Sequence, residues 1–150
     1  MKIVVQRVSS ASVDIEGRSP EEIERGFLVL LGIHEDDTNE ELDWLVQKLI
    51  KLRVFSDEEG KINLSIADVK GEILLISQFT LHANTKKGNR PSFIEAAKPG
   101  VAIPLYEDFK KKLIQEGIPT KTGEFGADMK VSLVNDGPVT IIIDSREKGQ

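Results

Sequence analysis

The feature that most constrains this chain of 150 residues is a set of apolar runs too short to stand alone as helices. Phe27-Leu28-Val29-Leu30-Leu31 and Ile73-Leu74-Leu75-Ile76 are unbroken, and Val139-Thr140-Ile141-Ile142-Ile143 is entirely β-branched. Runs of this length suit strands covered on both faces, because a strand flanked by solvent on one side alternates apolar and polar residues. β-Branched side chains favour the same assignment for the last run, since they pack well on a pleated surface.

Half-covered strands are also present. Ala11, Val13 and Ile15 alternate with Ser12 and Asp14, and Met129, Val131 and Leu133 alternate in the same way. Two segments carry helical periodicity instead. Leu42, Leu45, Val46, Leu49 and Ile50 form one apolar stripe. Thr38 and Glu41 have the spacing of a capping box at its start. Trp44 lies off the stripe, which suits partial burial under a neighbouring loop. A second helix is expected from about Pro104 through Tyr106, Phe109 and Leu113, stopped by Gly117 and Ile118-Pro119. Asp57-Glu58-Glu59-Gly60 reads as a turn, and residues 146–150 as a frayed tail. The expected fold is α+β: a mainly antiparallel, barrel-like sheet with two main helices packed outside, in a single domain spanning 1–150.

Composition narrows the function classes. The chain has no cysteine, which excludes disulfides, thiolate catalysis and cysteine-ligated zinc. No apolar stretch approaches the ~20 residues of a membrane-spanning helix. The start, Met1-Lys2-Ile3-Val4-Val5-Gln6-Arg7, lacks the long apolar stretch of a signal peptide, so a cytoplasmic location is expected. The net charge of −5 disfavours broad nucleic-acid binding, which needs a basic footprint. A nucleic-acid contact would have to be local. The best local patch is Lys86-Lys87-Gly88-Asn89-Arg90, which is equally consistent with a solvated loop.

The familiar catalytic motifs are missing: there is no G-x-S-x-G, no G-x-x-x-x-G-K and no H-E-x-x-H. With only His34 and His82, a histidine-rich metal site is impossible. A mixed site of His34 with Glu35, Asp36 and Asp37 is conceivable, but a solvated loop is the simpler reading. No metal and no cofactor are therefore expected. An enzyme of this composition has to rely on backbone donors and positioning rather than on a side-chain triad.

Two segments stand out. Ser77-Gln78-Phe79-Thr80-Leu81 places polar groups directly after a buried strand, where they either cap the strand end or form a site. Asn135-Asp136-Gly137-Pro138-Val139-Thr140 has the chemistry of a hairpin-like turn between two strands. Together they resemble the signature motifs S-Q-x-T and N-x-G-P-V-T of the D-aminoacyl-tRNA deacylase family, first known as D-tyrosyl-tRNA deacylases. The resemblance runs from Val4-Val5-Gln6-Arg7-Val8 to about Ser145. It takes in Thr85-Lys86-Lys87-Gly88, Arg90-Pro91-Ser92-Phe93 and Gly123-Glu124-Phe125-Gly126-Ala127-Asp128-Met129. His82 and Asn89 are read as ordinary variation.

The resemblance implies an ester hydrolase acting on D-aminoacyl-tRNA, active as a homodimer, with glycyl-tRNA as a further candidate substrate. It implies catalytic roles for Ser77, Gln78, Phe79 and Thr80. It also implies a cis Gly137-Pro138 unit that reaches into the partner's site as a chirality screen, held by Arg7. Phe79, Phe125 and Met129 would lie near the terminal adenosine, and Lys86, Lys87 and Arg90 would meet the tRNA. Thr80 has no histidine adjacent in sequence to activate it, so water assisted by the terminal 2′-hydroxyl of the tRNA is preferred as nucleophile. Two rivals remain open at this point: a non-catalytic nucleic-acid-binding module using the Lys86–Arg90 patch, weakened by the acidic pI and by the lack of an aromatic stacking platform in the sequence, and an esterase for small acyl esters.

Overall fold

The computed structural model describes residues 1–149. Six strands form one sheet: β1 (Lys2–Asp14), β2 (Glu21–Ile23), β3 (Gly26–Gly32), β6 (Glu72–Ser77), β7 (Thr120–Thr122) and β8 (Lys130–Asp144). Between them, β4 (Phe55–Ser56) and β5 (Ile62–Leu64) make a small hairpin. Its turn is residues 57–60, closed by Asp57 Oδ1 accepting from the N–H groups of Glu59 and Lys61.

The long strand β1 organises the sheet. It pairs antiparallel with β8 along nearly its whole length, with β3 through its first half and with β2 through its second. β3 then pairs parallel with β6, and β6 parallel with β7. β2 folds back towards β6 and β7, so the sheet curls into a nearly closed barrel. The longest ladders are antiparallel, as expected. The two parallel pairs are an addition that the sequence reading did not contain.

The continuous apolar runs have a direct explanation. Phe27, Val29 and Leu31 of β3, with Ile73 and Leu75 of β6, face the helices. The alternate residues Leu28, Leu74 and Ile76 face the barrel interior, where they meet Val8, Ala11 and Val13. Both faces are dry, so every position is apolar.

Helix α1 (Asn39–Lys51) buries Leu42, Leu45, Val46 and Leu49, and its capping box of Thr38 and Glu41 is complete. Trp44 is half-buried. Helix α2 (Pro99–Gln115) begins earlier than the sequence reading placed it. Pro99, not Pro104, is the first-turn proline; Pro104 sits on the exposed face, where water can take the carbonyl its missing N–H would have paired. The helix ends in a Schellman motif: Gly117 N–H donates to Ile114 and Ile118 N–H to Leu113, with Gly117 at φ +86°.

The tail is also more ordered than expected. Residues 145–147 form a 3-10 turn capped by Asp144, and Lys148 pairs with Glu40. Ser145 Oγ accepts from the Met1 ammonium at 2.8 Å, which also meets Asp37 at 2.6 Å, so the two ends of the chain hold each other. Gln150 of the expected frayed tail lies outside the described residues. Among the described residues, no helix is long and apolar enough to cross a membrane.

Candidate active site

β6 ends at Ser77, where Gln78 N–H donates to Leu31 at 2.8 Å, and the chain leaves the sheet in a 3-10 turn, Phe79–His82. The N–H groups of Phe79 and Thr80 open this turn and have no partner inside it. Gln78 Nε2 donates to Thr80 Oγ1 at 2.5 Å, which leaves the Thr80 hydroxyl hydrogen free to point outward. The turn lies close against β3 at Gly32. A Cβ there would come within 2.9 Å of Leu81 Cβ and 3.0 Å of the Gln78 carbonyl, so only glycine admits the turn at this height.

His82 anchors the turn from below. It is buried, hydrogen-bonded to the Gly32 backbone, and edge-on to the His34 ring at 5.5 Å. Burial pushes its pKa below the ordinary value; the Met1 ammonium, Lys2 and His34 act in the same direction, against the Gly32 bond. Its Nε2 has no hydrogen-bond partner among the described residues. His34, Glu35 and Asp36 bring their ligand-type atoms within 4.8 Å of one another, but His34 Nδ1 already accepts from Asp36 N–H at 3.1 Å.

A cleft of about 300 Å³ opens beside the strand end. Ser77, Gln78 and Phe79 line it from the strand end, and Phe125 and Met129 from the segment that leads into β8. Gly123 makes room for Met129, whose sulfur lies where a Cβ at 123 would be. Phe125 is backed by Tyr106 at a ring separation of 5.9 Å, and the buried Tyr106 hydroxyl donates to the Leu75 carbonyl at 2.9 Å. Burial raises the Tyr106 pKa well above its ordinary value, so this hydroxyl stays a donor and fixes the wall.

The segment 135–140 is not the hairpin-like turn expected from its composition. β8 keeps its direction and pairs with β1 on both sides of it: Asn135 is opposite Val8 and Thr140 opposite Gln6. Residues 136–139 therefore face Arg7 alone and bulge outward. The Asn135 side chain closes the bulge by accepting from Val139 N–H at 2.7 Å and donating to the Val139 carbonyl and Thr140 Oγ1. Arg7 braces it from beneath, with Nε donating to Asp136 O and Nη1 to Val54 O, each at 2.7 Å. Gly137-Pro138 is cis, and both residues are exposed at the tip.

Ser77, Gln78, Phe79, Phe125 and Met129 thus share one cleft; Thr80 does not line it but is bonded to Gln78, which does. Gly137, Pro138 and Arg7 do not line it in the same chain. Arg7 is level with Phe27 on β3, and Phe27 with Ile73 on β6. Ser77 is four residues further along β6, which is roughly 13 Å at about 3.3 Å per residue. Lys86, Lys87 and Arg90 are exposed on an excursion closed by paired hydrogen bonds between Asn84 and Ser92. Phe93, just after this closure, meets Phe79 edge-on at 5.1 Å. The sequence reading missed the parts played by Asn135, Tyr106 and Phe93. Asn135 lay inside the N-x-G-P-V-T motif and Phe93 inside the segment Arg90-Pro91-Ser92-Phe93, but neither was given a role of its own.

Comparison with known proteins agrees with the motifs. The sequence matches the family described as D-Tyr-tRNA(Tyr) deacylase over residues 4–144. It is 62% identical over 148 residues to the D-aminoacyl-tRNA deacylase of Finegoldia magna, covering 99% of this chain and 100% of that one. It is 57% identical over 149 residues to that of Flavobacterium johnsoniae, covering 99% of both. Among solved structures, one described as c-Myc DNA Unwinding Element Binding Protein matches with a TM-score of 0.90 at 46% identity, covering 96% of this chain and 98% of that one. A probable eukaryotic D-amino acid tRNA deacylase shares the fold at 19% identity, with a TM-score of 0.82 and coverage of 95% and 97%. On a match spanning all but the first few and last few residues, the chain belongs to the D-Tyr-tRNA(Tyr) deacylase family.

Proposed function

We propose that this protein hydrolyses the ester joining a D-amino acid to the 3′ end of tRNA. The observation that carries this reading is a cleft whose lining combines polar and apolar side chains. Phe125 and Met129 offer apolar surface to an adenine, while Ser77, Gln78 and Thr80 offer hydrogen bonds to the aminoacyl end. The open N–H groups of Phe79 and Thr80 are donors for the oxyanion that develops when the ester carbonyl is attacked.

The attacking group is water, aided by the terminal 2′-hydroxyl of the tRNA. Thr80 positions the substrate. The histidine nearest to it in sequence, His82, is buried and shares no hydrogen bond with Thr80 among the described residues, which leaves Thr80 without a base to activate it. No metal or cofactor takes part in this scheme.

Chirality is screened by backbone, in a homodimer. A D- and an L-residue differ by exchange of the side chain and the hydrogen at Cα. With ester and amino group both fixed, a wall at one position excludes L-substrates sterically and needs no side chain of its own. The exposed Gly137-Pro138 tip, braced by Arg7 and Asn135, has the character of such a wall. Its separation from Ser77 within one chain supports delivery to the partner subunit's cleft. Glycyl-tRNA passes the screen, having no side chain on either side. Lys86, Lys87 and Arg90 meet the tRNA phosphates, and the reaction belongs to the cytoplasm, where charged tRNA is used.

Incubation with D-tyrosyl-tRNA, L-tyrosyl-tRNA, glycyl-tRNA and p-nitrophenyl acetate tests the reading. Hydrolysis of the first and third, with the second and fourth spared, is expected. Equal turnover of D and L, or turnover of the simple ester alone, would make the protein a general esterase. Binding of tRNA without turnover would make it a nucleic-acid-binding module.

A further inference from the structure

Phe93 is an aromatic residue that nothing in the fold requires at the surface. It is 37% exposed, its neighbour Ile94 is 82% exposed, and Phe79 is 54% exposed. The two phenyl rings meet edge-on at 5.1 Å, outside both apolar cores. Exposed aromatics cost solvation and commonly mark a contact surface.

What adjoins the pair identifies its partner. Phe79 lines the cleft, so the pair begins where the cleft ends. Directly before Phe93 in the chain is the excursion closed by Asn84 and Ser92, whose residues Thr85-Lys86-Lys87-Gly88-Asn89-Arg90-Pro91 carry three cations and no acid. In a chain of net charge −5 this is a local reversal of sign. Aromatic faces beside a cationic track are the means by which proteins hold single-stranded nucleic acid without reading its sequence: the rings stack bases and the cations meet phosphates.

We infer that Phe93, set against Phe79, is a stacking platform for the unpaired base that precedes the terminal adenosine of tRNA, with Lys86, Lys87 and Arg90 holding the phosphates beside it. This rests on the proposed function, which puts the adenosine in the cleft. With Phe79 shared between cleft and pair, the next base outward falls on Phe93. The ligand is single-stranded, because a base inside a duplex is stacked on both faces and offers neither to a ring. The platform selects a tRNA end over a free aminoacyl nucleoside and acts on binding, leaving the chemical step alone.

The test uses the full-length protein and its Phe93→Ala and Phe93→Trp variants. Binding of a 5′-labelled single-stranded RNA heptamer ending in CCA is measured by fluorescence anisotropy, with the same strand in a blunt duplex as control. Kinetics are measured on D-tyrosyl-tRNA and on 3′-(D-tyrosyl)adenosine, which lacks the preceding nucleotide. Phe93→Ala is expected to weaken heptamer binding on the order of tenfold and to raise KM for the tRNA by a similar factor. It leaves kcat and the turnover of the adenosine ester unchanged, and Phe93→Trp restores binding. Unchanged heptamer affinity, or preference for the duplex, would overturn the inference. An equal loss on both esters would also overturn it, by showing that Phe93 only props Phe79. Light scattering that finds Phe93→Ala monomeric where the parent is dimeric would do the same, making the ring a subunit contact. Phe93-dependent binding of the heptamer by a parent protein that hydrolyses neither ester would uphold the platform and remove only the enzymatic reading.

Discussion

Adding a single methyl group at Gly137 tests the proposed wall directly. A Cβ at this position would lie 2.7 Å from Val139 N and 2.8 Å from Val139 Cγ2, about 0.7 Å short of ordinary van der Waals contact at 3.4 Å. The first of these neighbours is backbone and cannot rotate away. Val139 N–H is also the group that Asn135 Oδ1 holds at 2.7 Å, so relieving the clash stretches the bond that closes the bulge. Overpacking of this kind costs about 1–3 kcal/mol, and at roughly 2–4 °C per kcal/mol the melting temperature should fall by several degrees. The functional effect should be larger. A displacement near 1 Å in a positioning element costs about 100-fold in rate, so a shift of about 0.7 Å predicts a loss on the order of tenfold on D-tyrosyl-tRNA. The wall also recedes or tilts, so the ratio of L to D turnover should rise. The assay is single-turnover deacylation of both isomers by Gly137→Ala, with a thermal melt to confirm folding. A folded variant with the parent's D-to-L ratio would refute the argument, and the chirality screen would have to lie elsewhere.

Further expectations follow from other parts of the structure. Thr80→Ala should slow deacylation without abolishing it if Thr80 positions substrate as proposed; a trapped acyl-enzyme on Thr80 of the parent would contradict this. Neutralising Lys86 and Lys87 together should raise KM and flatten its dependence on salt, because phosphate contacts release counterions; an unchanged salt slope would move the tRNA footprint elsewhere. His82 gives a pH signature. Its folded-state pKa is depressed, chiefly by burial, below the ordinary 6.5. Its contribution to stability is therefore fully present above that value and is lost as pH falls below it, because the unfolded chain takes up the proton first. Urea denaturation at about pH 7.5 and about pH 5.5 should show the parent losing more stability than His82→Phe. Equal losses would place the titration on another group.

The fold was largely legible because burial leaves period and length in the sequence. The stripe on α1 and the dry runs of β3 and β6 each had one physical explanation. The short strands β2, β5 and β7 did not, since three residues carry no period. The parallel pairing of β6 with β3 and β7 was equally hidden, because strand neighbours are set by the path of α1 and α2 over the sheet. Pro104 misled for a local reason: proline favours a helix start, and only the exposed face of α2 makes it tolerable inside. The cleft was legible in pieces. Ser77, Gln78 and Thr80 were visible as polarity at a buried strand end, and Phe79, Phe125 and Met129 through family resemblance. Phe93 and Tyr106 were not visible, because one reads as a loop residue and the other as helix core until the fold brings them to the site. At Asn135 turn chemistry and strand bulge look alike, since both require a side chain that satisfies its own backbone.

The central claim is that two subunits build each site, the cleft from one and the Gly137-Pro138 tip from the other. Mixed dimers measure this most directly. One chain would carry Gly137→Ala with Pro138→Ala and keep its cleft; the other would carry Ser77→Ala, Gln78→Ala and Thr80→Ala and keep its tip. Each variant alone should be severely impaired on D-tyrosyl-tRNA. Co-expressed and purified as the heterodimer, they contain one site with an intact cleft and an intact partner tip, and the account predicts about half the parent's activity per dimer, with L-tyrosyl-tRNA still spared. A heterodimer no more active than the two variants alone would mean that the tip serves its own chain, and would contradict the account.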